Sequence, residues 1–275
     1  MSISPRLGCS TISFRHMALT PALAVINELG FAEIDLGALP GVCDHVPYVL
    51  DRGAVSRVAG EVASSGLAVR SVNGDVGDLN AILDGEQRAE LSEHLDRLLD
   101  LAAAVGAKAL VLPNGAINHD PVTDLETDIH RVADRLTWAS ERAAKQDLAL
   151  WVESLHLFRL CHSLERAQLL TDQLSGTSVG VVMDFSHVVA SGASPESFIA
   201  RFGDRIAHVH CRDATPGDIH HSIGNGAVDF AGGIAALDKA GYEGHFTLEL
   251  ETRDITNEER PAATAKAGHY ISSLL

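Results

Sequence analysis

A unit of short apolar strand, polar loop and helix, with apolar residues every three to four helical positions, recurs eight times along the 275 residues. No other feature restricts the fold as much. The spacing predicts strands at 7–10, 32–36, 68–72, 109–112, 149–153, 179–184, 206–210 and 246–249. Helices are predicted between them, at 20–29, 54–65, 86–105, 124–145, 164–174, 195–202, 230–240 and 258–275. Gly30, Gly66, Gly106 and Gly241 fall where helices should stop, because glycine closes a helix in the left-handed conformation without a Cβ clash. Strands that alternate with helices form a parallel sheet, since each parallel neighbour is reached through a crossover. Eight such units predict a closed (β/α)8 TIM barrel, a fold of about 250 residues. An open dinucleotide-binding sheet would carry GxGxxG after its first strand. None is there, and Gly224 and Gly226 in SIGNG come too late. With no proline-rich or low-complexity linker, one domain is expected to span 1–275.

Composition narrows the partners of such a barrel. Apolar residues make up 46% of the chain, enough to fill a large core. The most apolar run, 98–113, is broken by Asp100, Gly106 and Lys108 and is shorter than the roughly 18 residues a membrane span needs. The N-terminal MSISPRLGCS lacks the basic-then-apolar pattern of a signal peptide. Cys9, Cys43, Cys161 and Cys211 show no CxxC spacing and read as reduced thiols of a cytoplasmic protein. A formal charge of −16 repels phosphate backbones, so neither nucleic acid nor membrane is an expected partner.

In a TIM barrel, chemistry gathers where strands end at the C-terminal face. Four late strands end in metal-capable groups: WVE at Glu153, VVMD at Asp184, HVH at His210 and TLE at Glu249. Ionisable groups buried together are costly unless they are paired or hold a cation, and one divalent ion accounts for all four. Three carboxylates and one imidazole favour Mn²⁺, Mg²⁺ or Co²⁺, with Zn²⁺ open because availability also decides occupancy. Glu251, two residues past Glu249 and on its face by strand alternation, is the alternative ligand. A second cluster lies close in sequence: His187 in DFSH, and Asp218, His220 and His221 in GDIHHSIGNG. It predicts either substrate hydrogen bonding or a second metal held by His187, Asp218 and His220. No tight Lys/Arg cluster follows a late strand, although Arg212 leaves a phosphorylated substrate open.

At these residues the chain resembles the xylose isomerase-like superfamily of TIM barrels. That group includes sugar isomerases and epimerases, inosose dehydratase, dehydroshikimate dehydratase and endonuclease IV. The likeness runs from LGCSTISF and INELGFAEIDL through WVES, VVMDFSHVVASG, HVHCRDA and HHSIGNGAVDF to HFTLELE. It implies Glu153, Asp184, His210 and Glu249 as metal ligands and Glu153 and Glu249 as the groups that move protons. His187, His220 and Arg212 fall to substrate binding. The activity implied is isomerisation or epimerisation of a small sugar, polyol or hydroxy-ketone through a metal-stabilised enediolate. The alternatives are a dehydratase of a keto-polyol or dehydroshikimate-like acid, with His156 as the extra acid, and a metal-binding barrel without catalysis. A homo-oligomer is left open. Endonuclease IV draws two further histidines from loops after its third and fourth strands, where this chain reads SVNGDVGDLN and LPNGAINHD without a histidine at the strand end. Zinc-loaded protein is therefore expected to leave abasic-site DNA uncut, and efficient nicking at low enzyme concentration would overturn that exclusion.

Overall fold

Side-chain caps set where the helices begin. Asp51, Asp84, Asp124, Ser163 and Ser194 each accept a backbone N–H in the first turn of the following helix, satisfying a donor that has no intrahelical partner. Gly30, Gly66, Gly106 and Gly241 close helices with φ between 70° and 87°, the left-handed role expected of them. The computed structural model describes residues 2–275. Its strands are β1 Leu7–Cys9, β2 Glu33–Ala38, β3 Ala68–Gly74, β4 Ala109–Pro113, β5 Ala149–Glu153, β6 Gly180–Asp184, β7 Ile206–Cys211, β8 Asp213–Thr215, β9 Asp218–His221 and β10 Phe246–Leu248. Its helices are α1 Leu19–Glu28, α2 Arg52–Ser65, α3 Gly85–Ala104, α4 Leu125–Ala144, α5 Leu164–Gln173, α6 Phe185–Ala190, α7 Pro195–Phe202, α8 Phe230–Lys239 and α9 Arg260–Ser272.

All eight predicted strands form, and they pair in parallel in the order β1-β10-β7-β6-β5-β4-β3-β2. β1 and β2 meet at the seam of this nearly closed barrel. There the Gly37 N–H donates to Thr11 Oγ1 at 3.0 Å, and a Cβ on Gly8 would sit 3.0 Å from the Glu33 carbonyl oxygen. The chain is a TIM barrel, as expected. Two elements were not expected from the sequence. Helix α6 follows β6 directly because Asp184 caps it, and a β8–β9 hairpin turns at Gly217 (φ 84°). Both are too short for periodicity to reveal.

Apolar faces of the helices pack on the outside of the strands in one large cluster. A separate small cluster of Ala109, Val111, Trp151 and Val182 fills part of the barrel interior. Since side chains alternate along a strand, Trp151 pointing in sends Glu153 in, and Val182 does the same for Asp184. No helix among the described residues is long and apolar enough to cross a membrane. The four cysteines are buried and unpaired.

The loops that roof the barrel are anchored from α4. The buried Asp128 carboxylate accepts from Asn80 Nδ2 (2.8 Å), the Val122 and Thr123 N–H groups (2.7 and 3.2 Å) and Arg131 Nη1 (2.9 Å). It thereby ties the loop after β3 to the loop after β4. Removing it strands several donors, so Asp128→Ala is expected to cost about 2–4 kcal/mol in urea unfolding, and a loss under about 0.5 kcal/mol would show that these bonds carry no net stability.

Candidate active site

Four side chains converge at the C-terminal mouth. Glu153 and Asp184 are the last residues of β5 and β6, His210 lies near the end of β7, and Glu249 follows β10. All four are buried, and one donor atom from each lies within 4.8 Å of the others. His210 Nδ1 is 3.5 Å from Glu249 Oε2 and 4.0 Å from Glu153 Oε1. Neither His210 Nδ1 nor Glu153 Oε1 has a hydrogen-bond partner. Buried polar atoms are rarely left unpaired, and here two of them face the same point. Hard oxygen donors plus one imidazole suit a divalent cation, so the residues present fit a metal.

Asp184 is held from two sides. One oxygen accepts from Ser186 N, Ser186 Oγ and His187 N at the start of α6; the other accepts from Arg212 Nη2 at 2.9 Å. Arg212 is 1% exposed and also donates to Ser186 Oγ (2.9 Å) and Glu251 Oε2 (2.8 Å). Glu251 is paired with Arg15 as well, at 2.9 Å, and stands outside the group of four. Beside the group opens a cavity of ≈ 450 Å³, lined by Asn73, Glu153, His187, Arg212, His220 and Glu249 among others. Val42, Ile117 and Phe158 give it a partly exposed apolar rim.

The description "xylose isomerase-like TIM barrel" matches residues 23–272. The chain belongs to that family. Among relatives, the rhizopine catabolism protein MocC of Rhizobium meliloti is 28% identical over 96% of this chain and 82% of that one. The inosose dehydratase of Geobacillus thermodenitrificans is 24% identical over 70% of this chain and 73% of that one. Among solved structures, the E. coli 3-keto-D-glucoside 4-epimerase YcjR superposes with a TM-score of 0.77 at 20% identity, covering 99% and 100% of the two chains. The IolI protein with a bound zinc atom gives 0.78 at 20%, covering 98% and 99%. At such identities the structural likeness speaks for the fold alone.

Within this xylose isomerase-like barrel, the two glutamates are driven apart. Burial pushes Glu153 up to about 8, and the neighbouring Asp184 and Glu249 carboxylates add to it. Burial works on Glu249 in the same sense, but His210 and Arg212 outweigh it and hold Glu249 below the usual carboxylate range. Burial opposes the charge on His210, yet Glu249 and Asp35 keep it protonated well above an ordinary histidine.

His187 and His220 both line the cavity, but the proposed second metal set of His187, Asp218 and His220 is not assembled. His187 Nδ1 accepts the Leu157 N–H at 3.1 Å and its Nε2 lies 3.2 Å from Arg212 Nη2, so both ring nitrogens are already engaged. His220 Nδ1 is spent on Asp218 at 2.9 Å, and the Phe158 ring packs against both imidazoles. His156 Nδ1 accepts from the Phe158 N–H, which leaves its Nε2–H 3.8 Å from Glu153. Sequence reasoning overlooked Asn73, which donates to Glu249 Oε1 at 3.1 Å, and the buried pair Asp35 and His208. The signals were present. Asp35 interrupts an apolar strand, and His208 shares the face of His210 by the period of two. Protein dialysed against Mn²⁺ or Co²⁺ is expected to retain one ion per chain, with most of it lost in Asp184→Ala and His210→Ala. Elemental analysis beside circular dichroism checks this, because Asp184 also caps α6. Equal metal content in folded Asp184→Ala and wild type would remove Asp184 from the set.

Proposed function

We propose that the chain is a divalent-metal-dependent epimerase or isomerase of a small sugar, polyol or related hydroxy-ketone. The observation that carries this reading is the pair of buried carboxylates, Glu153 and Glu249, flanking His210 Nδ1 in one cavity with opposite ionisation tendencies. Such a split marks one group as acid and the other as base. Glu153, Asp184, His210 and Glu249 would hold the ion. When bound, a divalent ion polarises the substrate carbonyl and stabilises the negative charge that grows as the adjacent C–H is broken.

Glu249, the more acidic of the two, is the base. It takes the proton from the carbon beside the carbonyl while the C–H electron pair moves into an enediolate. Glu153 returns a proton to the opposite face of that carbon in an epimerase, or to the neighbouring carbon in an isomerase. His156 presents its Nε2–H to substrate oxygens, while His187 lines the same wall beside Arg212. Arg212, engaged by Asp184, Ser186 and Glu251, orients the acids and lines the wall. The name of the inosose dehydratase relative supports a second reading, a lyase that shares the first step. A departing hydroxide then needs an acid. Burial and the adjacent His187 keep His156 well below an ordinary histidine, hence neutral and suited to donate a hydrogen bond rather than a full proton. That observation favours proton return by Glu153.

With a substrate found among ketoses and keto-polyols, incubation in D₂O should place deuterium on the carbon beside the carbonyl. Glu153→Gln and Glu249→Gln keep side-chain size and an amide oxygen but lose the carboxylate, and each should slow exchange and turnover by about 10²–10⁴. Metal content is measured in parallel, since lost metal mimics lost catalysis. Full activity in both metal-loaded variants would sink the two-glutamate mechanism, and metal uptake with no turnover on the whole panel would favour a binding barrel.

A further inference from the structure

Below the group of four, the barrel interior holds polar side chains that the proposed proton transfer does not use. Asp35 on β2 and His208 on β7 are both 0% exposed, although β2 and β7 are not neighbours in the sheet. Asp35 Oδ2 accepts from His208 Nε2 at 2.7 Å and lies 3.3 Å from His210 Nε2. The opposite edge of the His210 ring, Nδ1, faces Glu249 and Glu153. One imidazole therefore stands between a carboxylate from across the barrel and the donor atoms of the mouth.

We infer that Asp35 is a positioning residue: it holds the Nε2–H of His210, so that Nδ1 is the nitrogen that gives up its proton and offers a lone pair beside Glu153, Asp184 and Glu249 when an ion binds. The inference rests on the metal reading of those residues. A neutral imidazole has one N–H and one lone pair, and a carboxylate beside one nitrogen settles which is which. A histidine that ligates a metal through one nitrogen characteristically gives its other N–H to such a partner.

Asp35 is poorly explained by packing. A wholly buried carboxylate is costly, and an apolar side chain of similar volume generally packs a barrel interior at least as well. Its second oxygen, Oδ1, has no partner at all, and neither do the nearby buried atoms His208 Nδ1 and Ser71 Oγ; His210 Nε2, 3.3 Å from Oδ2, has that carboxylate as its nearest charge but makes no fully formed hydrogen bond. A residue selected for interior hydrogen bonding alone would have used these. The oxygen that is used points at His208 and at the one nitrogen ligand. His208 is itself held from the next strand, with Thr247 Oγ1 3.2 Å from its Nε2. One Asp35 oxygen thus meets both histidines of β7, and His208 is fixed independently of His210.

The test compares wild type with Asp35→Leu, which removes the acceptor, and Asp35→Asn, which keeps one. Zinc affinity is read by chelator competition, and the His210 ring nitrogens by ¹⁵N NMR with and without metal. Asp35→Leu is expected to weaken zinc binding by about 10- to 100-fold. Asp35→Asn should stay near wild type, and the protected Nε2 hydrogen of His210 should be present in wild type and lost in the leucine variant. A folded Asp35→Leu protein with wild-type zinc affinity overturns the inference. So does a wild-type spectrum, loaded with zinc, that places the hydrogen on Nδ1, and this arm stands even where the leucine variant fails to fold. Wild type that takes up no metal defeats the metal reading instead. In that case the Nε2 hydrogen of the metal-free protein still reports whether Asp35 holds His210.

Discussion

The buried guanidinium of Arg212 is the charge on which the barrel mouth depends. Asp184, Glu153, Glu249 and Glu251 crowd the ends of neighbouring strands, and like charges in a poorly solvated space repel strongly. Arg212 reaches Asp184 and Glu251 directly and Glu249 at 3.6 Å, and in return those acids hold it charged well above even an ordinary arginine. His210 and, through Glu251, Arg15 supply further positive charge. Burial, with the Asp184 and Glu249 carboxylates beside it, pushes Glu153 up to about 8.

Strand alternation explains why ionisable groups are stacked in depth. Each strand contributes alternate residues to the interior, so a strand that ends in a ligand also presents the residue two positions earlier. On β5 that residue is Trp151, which stacks on His208 at 5.2 Å between ring centres; on β7 it is His208 itself. The interior thus passes from an apolar base through the Asp35–His208 pair to the acids at the top. Above them the wall changes character again. Phe158 packs against His187, and with Val42 and Ile117 it gives the cavity an apolar rim over a polar floor. That combination suits a substrate with hydroxyls on one face and C–H groups on the other.

Much of this was written in local sequence. Strand and helix periods, capping residues and the closing glycines located all eight barrel strands, because those signals depend on near neighbours only. The four convergent residues were legible for a related reason: in a parallel barrel every strand ends on the same face, so a ligand-type residue closing several strands needs no distance information to be noticed. The family resemblance added roles to these positions, and the family assignment now rests on a match across 23–272.

What the sequence could not supply was set by contacts across the barrel. Asp35 and His208 are separated by 173 positions, and only closure of the sheet makes one the hydrogen-bond partner of the other. The choice between Glu249 and Glu251 was open in sequence because both fit one alternation. Tertiary structure gives them different surroundings: Arg15 from the segment after β1 and Arg212 just after β7 draw Glu251 aside, while Asn73 and His210 face Glu249. Likewise, the three residues suggested for a second metal were close in sequence, yet the fold does not group their donor atoms: His187 is engaged by the Leu157 N–H and Arg212, and His220 by Asp218. Sequence determined which groups arrive at the mouth, since alternation and strand order are local properties. Which nitrogen or oxygen each group offers was decided by partners that only the closed barrel brings within about 3 Å, the reach of a hydrogen bond.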